Sequence, residues 1–359
     1  MKKISALLIL LMIVIHLSCE SGNQNSPLSL ETAHWQPQDS RTKSSFRGLN
    51  VLSHDVAWAS GSNGTYVRTV DGGFTWLQET VSGALFLDFR DVHAVDAKNA
   101  FLMSAGEGEN SRIYKTTDGG KNWALQFMNS HQEGFFDGMA FWDADNGIVY
   151  GDPVDGRFFV IMTSDGGTSW NRVPPENIPP ALSGEHAFAA SGTGIAVFGE
   201  NHVWFGTGGS AARVFRSTDR GQNWTVTNTP IISGEPSTGI FSLAFWDENH
   251  GIAVGGDYQK PGQSTANAAI TNDGGQTWTL IEGSPPAGFR SCVACLPGAT
   301  ISSLIAIGTS GSDYSIDNGL TWAPLDTVGY NTAGFAPSGI AAWAVGAGGR
   351  IAKLHGAKN

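Results

Sequence analysis

Short apolar runs, each closed by glycine, recur along this chain: Val56–Gly61, Gly147–Gly151, Val203–Gly206, Gly251–Gly255 and Leu304–Gly308. They are too short for helices and rich in β-branched or aromatic residues, which is the pattern of a buried strand. A second apolar stretch precedes the run in several places, as in Phe46–Leu52 and Phe241–Trp246. A polar, glycine-rich turn follows further along, flanked by stretches such as Gly64–Thr69 and Trp76–Thr80. Each unit therefore predicts four short strands, A to D, with the polar turn between C and D.

That turn is repeated six times with the pattern Ser/Thr-x-Asp-x-Gly-x-Thr/Asn/Ser-Trp, first as Thr69 to Trp76. Its aspartates are Asp71, Asp118, Asp165, Asp219, Asp273 and Asp317, separated by 47, 47, 54, 54 and 44 residues. Glycine supplies positive φ in such a turn, and a short carboxylate accepts its amides. The closing Trp is expected to pack between neighbouring units. Four strands per period of this length predict the blades of a β-propeller.

The blades number seven. The last has A near Gly334–Ala336, B as Ala341–Gly346 and C as Arg350–Leu354, and then lacks its turn and outer strand. Thr32–Trp35 is expected to supply that strand and close the ring, which removes free sheet edges. The fold class is thus all-β: a seven-bladed propeller of four-stranded antiparallel blades over 30–359, despite a length that favours two domains.

Residues 1–18 read as a signal peptide: Lys2-Lys3, an apolar run Ile4–Leu17, then Ser18-Cys19. The run is short for a membrane span. Cys19 resembles the lipid-modified cysteine of bacterial lipoproteins, although His16 stands where that pattern prefers Leu. Residues 19–29 read as a flexible tether. The expected localisation is therefore the bacterial periplasm or outer membrane, with membrane contact only through the lipid. Losing Lys2 and Lys3 takes the net charge from −11 to −13, which argues against nucleic acid as partner. Cys292 and Cys295 lie on one expected strand and read as buried free thiols; no metal spacing or cofactor fingerprint is seen.

The repeated turn is the Asp-box, or BNR repeat, of sialidases, sortilin-type receptors and the photosystem II assembly and stability factors. The chain most resembles the last group, through its single seven-bladed body, its box in nearly every blade, the text from Trp204 to Trp224 and the start Phe46-Arg47-Gly48-Leu49. The resemblance implies a monomeric binding or assembly propeller whose boxes are structural.

All six boxes fall on one face, and the A-strand starts fall on the other. Aligning those starts gives Arg47, Arg90, Asp137, His186, Phe241, Arg290 and Asn331, with Glu185 and Tyr330 as one-residue alternatives in blades 4 and 7. Arg47, Arg90 and Arg290 form an arginine arc suited to a carboxylate, because guanidinium offers a planar donor fork. The bland alternative is that each braces the ring against a neighbour such as Asp88 or Asp91. A partner protein or peptide with an acidic group, or an anionic glycan, fits the arc. A sialidase-type hydrolase is the second reading, with Tyr330 as nucleophile, Glu185 as its partner and Asp137 or Asp152 as acid. The sialidase Arg-Ile-Pro signature is absent, since Gly48-Leu49 follows Arg47.

Overall fold

The computed structural model describes residues 28–298 and 302–356. The signal peptide, Cys19 and the first part of the tether lie outside them. The described residues form seven antiparallel sheets, one per blade, with no α-helix and only four short 3-10 turns. The outer strand of blade 7 is His34–Asp39, which pairs with Arg350–His355 in the register Trp35↔Leu354. The N-terminus thus closes the ring.

Among the described residues the core is a ring of seven clusters, one at each blade–blade interface, and a smaller eighth one of Ala190, Phe241 and Phe289. Four closing Trp side chains of the turns enter these clusters: Trp76 joins blade 7 residues, Trp170 those of blade 2, Trp224 those of blade 3 and Trp322 those of blade 5. Each wedges its blade against the one before it. A period of four strands leaves every blade with two apolar faces, and stacking in a ring buries both.

The Asp turns are saturated internally. In the first, the Thr75 amide and hydroxyl donate to the two Asp71 oxygens at 2.9 and 2.6 Å, and Thr69 Oγ1 donates to Asp71 Oδ1 at 2.8 Å. Asp118, Asp165, Asp219, Asp273 and Asp317 repeat the scheme. These donors hold the carboxyls low, Asp165 at about 2, chiefly through the Ser169 hydroxyl. A turn amide also reaches the A–B loop of its own blade, as Gly72 N does at Asp55 O (3.0 Å).

Blade 4 departs from expectation. Its inner strand is Ile195–Phe198, so neither Glu185 nor His186 starts it. Glu185–His186 instead pairs with Gly208–Gly209, which joins Gly239 and extends the blade 5 sheet to six strands. The lengthened interval between Asp165 and Asp219 holds the segment that makes this detour. Cys292 and Cys295 share the inner strand of blade 6 as free thiols, the first buried and the second half-buried.

Candidate functional site

The B–C hairpins and the A-strand starts surround a mouth opposite the Asp turns. In blades 1, 2, 3 and 5 the inner strand opens with a register shift, spanning Phe46/Gly48, Phe89/Asp91, Phe136/Gly138 and Ile240/Ser242. The residue inside each shift is Arg47, Arg90, Asp137 or Phe241. A bulge re-aims one side chain, and all four line a cavity of about 420 Å³. The recurring B-strand glycine permits this kink. A Cβ at Gly151 would lie 2.1 Å from Phe135 O, and one at Gly255 would lie 1.9 Å from Gly239 O.

In blades 6 and 7 the matching positions are Ser291 and Asn331, which also line the cavity. Arg290 does not, and this corrects the Phe-Arg alignment by one residue. Cys292 pairs with Ile307, just before Gly308, as Gly48 pairs with Ser60, just before Gly61. Ser291 therefore matches Arg47, while Arg290 matches Phe46 and turns into the blade wall. A one-residue slip sends a side chain to the other face. Arg290 is 2% exposed; its Nε donates to Asp313 Oδ2 at 2.7 Å, and its other nitrogens reach Phe289 O, Ser310 Oγ and Ala287 O.

The segment before blade 4 crosses the mouth. Phe188 stacks on Phe241 at 3.8 Å, Phe241 meets Phe289 edge-on at 4.7 Å, and the Ala189 and Ala190 carbonyls face the arginines. This strap was not foreseen; its signal was the small, apolar text Phe188-Ala-Ala190 inside the long interval. Arg90 Nε donates to Asp88 at 2.6 Å and its Nη1 to Ala189 O at 2.9 Å. Among the described residues Arg47 makes one long side-chain hydrogen bond, to Ala190 O at 3.4 Å, and no ion pair. Burial, with Arg90 beside it, lowers its pKa to about 10. Asn331 donates to Phe46 O at 2.7 Å and ties blade 7 to blade 1.

The expected hydrolase residues are not brought together. Tyr330 is packed in the blade 6–7 cluster beside Trp35. Glu185 is buried and held by Arg213, Thr207 Oγ1 (2.6 Å) and the Leu182 amide (2.8 Å). His186 contacts Pro236 O at 3.0 Å. Asp137 and Asp152 do line the cavity. A larger cavity, about 840 Å³, lies between blades 5 and 6 near Trp246, Cys295 and Leu320. Its acid, Asp247, is already engaged by His250 and adjacent amides, so it offers less chemistry than the mouth. Among the described residues no cluster of three or more acidic, His or Cys side chains is arranged to hold a metal. No helix there is long and apolar enough to cross a membrane.

This architecture places the chain among seven-bladed propellers. Among solved structures it is similar to YCF48 bound to D1 peptide, with 18% identity, TM-score 0.60, and 93% of this chain and 100% of that chain covered. It is also similar to YCF48 from Cyanidioschyzon merolae, at 18% identity and TM-score 0.63 over 90% and 99% of the two chains. The Neurospora crassa Pan2 WD40 domain matches at 10% identity and TM-score 0.61 over 88% and 90%. No family model and no curated protein matches the chain.

Proposed function

We propose that this chain is an exported, lipid-anchored binding or assembly propeller whose mouth holds an anionic group of a protein or peptide. The observation that carries the reading is Arg47: a half-buried guanidinium facing the cavity, with one long hydrogen bond and no carboxylate partner among the described residues. A desolvated cation so under-coordinated is a strong site for a carboxylate. Arg90 supplies a second positive charge, and the Phe188–Phe241–Phe289 stack offers apolar surface next to it. YCF48 supports a peptide ligand by analogy, since one of its structures holds a D1 peptide.

The test is a fluorescence-anisotropy screen of short peptides with a free carboxyl terminus or internal Glu, against amidated or Gln-substituted copies. Binding that follows the carboxylate and falls in Arg47→Gln supports the reading. Equal binding of both peptide sets overturns it. The anchor is tested separately by fatty-acid labelling of wild type and Cys19→Ala in a bacterial host. Label in the first alone is the expected result.

A further inference from the structure

One side chain of the mouth is unaccounted for by an anion. Asp137 is 1% exposed, lines the cavity, and has no hydrogen-bond partner on either carboxyl oxygen among the described residues. Folded proteins rarely leave a buried carboxyl in this state. The neighbouring Asp152 amide is already given to Phe135 O at 2.9 Å. Arg90 is also close, but its Nε and Nη1 serve Asp88 and Ala189 O. Protonation does not resolve the problem, because a neutral carboxyl keeps one O–H donor and one acceptor that both need partners.

Asp152 lines the same cavity and uses Oδ1 to accept the Ala187 amide at 2.8 Å. Burial raises the pKa of both acids, and the proximity of Asp152 raises that of Asp137 further. Tyr150, on the B strand of blade 3, lies near both, and its hydroxyl has no partner among the described residues. Two desolvated carboxyls of blade 3 therefore face the cavity that Arg90 of blade 2 and Arg47 of blade 1 also line. A cation arriving there would relieve their mutual repulsion and occupy the unpartnered oxygens.

We propose that Asp137 and Asp152 form a cation pole of the mouth, which receives the ammonium or guanidinium of a basic side chain from the same peptide that presents its anionic group to Arg47 and Arg90. The proposal rests on the peptide reading of the mouth, and small probes separate the two. The probes are 6-aminohexanoate, hexanoate and hexylamine, titrated into the full chain by calorimetry at low salt. Wild type should bind 6-aminohexanoate at least about ten-fold tighter than hexanoate. Asp137→Asn should remove that advantage and leave hexanoate unchanged, with thermal unfolding confirming the fold. Asp152→Asn keeps an acceptor for the Ala187 amide and should reduce the advantage partially. Equal binding of 6-aminohexanoate and hexanoate in wild type, or an advantage that survives both variants, overturns the cation pole, as does a failure of all three probes. If hexylamine binds through Asp137 while hexanoate does not, the pole stands and the anion reading falls.

Discussion

Blades 1 and 6 carry the same Phe-Arg dipeptide at the same corner and use it in opposite ways. In blade 1, Phe46 is buried in the blade 7–1 cluster with Val67, and Arg47 turns into the mouth. In blade 6, the dipeptide sits one residue earlier against the ladder. Arg290 and Asp313 then occupy the places of Phe46 and Val67, because Asp313 pairs with Ala306 as Val67 pairs with Ala59. An apolar pair in one blade is replaced by a buried ion pair in the other, and the mouth receives Ser291 in place of an arginine. Residue type alone therefore does not assign a role. The partner across the sheet does, because a buried guanidinium goes where a carboxylate meets it.

The largest way to break this comparison is to remove one partner in blade 6. Asp313→Val leaves Arg290 buried and uncompensated, and should lower the free energy of unfolding by about 3–5 kcal/mol in chemical denaturation. Adding Arg290→Phe rebuilds the blade 1 corner and should recover most of that loss, since apolar pairs often replace buried ion pairs without penalty. A double variant as unstable as the single would show that the two corners are not equivalent. Neither change should alter peptide binding at the mouth.

Arg47 should behave in the reverse manner. Arg47→Gln should weaken a carboxylate-bearing peptide by about ten-fold, close to 1.4 kcal/mol, with little change in melting temperature. A large loss of stability with intact binding would make Arg47 a brace like Arg290.

How much of this was legible follows from the same physics. The repeated Asp turns encode the blades locally, because each turn saturates its own carboxylate and needs nothing distant. The period thus gave blade number, ring closure and the face of each turn. The mouth depends on register, which a bulge shifts by one residue without a mark in the text. The three Phe-Arg dipeptides look identical, and only Asp313, two strands away, shows that Arg290 is spoken for. Glu185 was misplaced for a similar reason: Arg213 and the Gly208–Gly209 edge draw its segment away from blade 4. Asp137 was read at its true position, yet its lack of partners is a fact of three dimensions.

Acids at the two ends of the ring should also titrate oppositely. Burial raises Asp91 to about 8, against the amides of Met139 and Val92, and raises Asp137 and Asp152 as well. The folded state holds these protons more tightly than the unfolded chain, whose Asp titrates near pH 4. The favourable contribution of Asp91 is complete below about pH 4 and is lost as pH rises toward 8, and those of Asp137 and Asp152 likewise fall as pH rises. Asp-turn carboxyls are lowered, so their contribution is present above about pH 4 and fades as pH falls, for Asp165 toward about 2. Asp91→Asn should flatten the fall in stability between about pH 4 and 8, whatever its offset from losing an acceptor. An unchanged slope would show that Asp91 is ionised in the fold.

The smallest expected effect is a gain. Ser291 holds in blade 6 the place that Arg47 holds in blade 1, and it lines the cavity. Its hydroxyl donates to Asn331 O at 2.7 Å, so replacing it removes one buried donor from a carbonyl. Ser291→Arg would add the third guanidinium expected from the aligned Phe-Arg dipeptides. Its long aliphatic stem can lie against Phe289 while the head reaches the mouth, and Asn331 sits between it and Arg47. The new charge also repels Arg47 and Arg90, whose mutual repulsion already contributes to the depressed pKa of Arg47. The benefit should therefore be less than ten-fold in affinity for a carboxylate-bearing peptide, and should vanish at high salt if it acts through exposed charge. No gain at low salt, with the fold intact, would show that position 291 does not share the mouth with Arg47, and the one-residue register argument for blade 6 would fail with it.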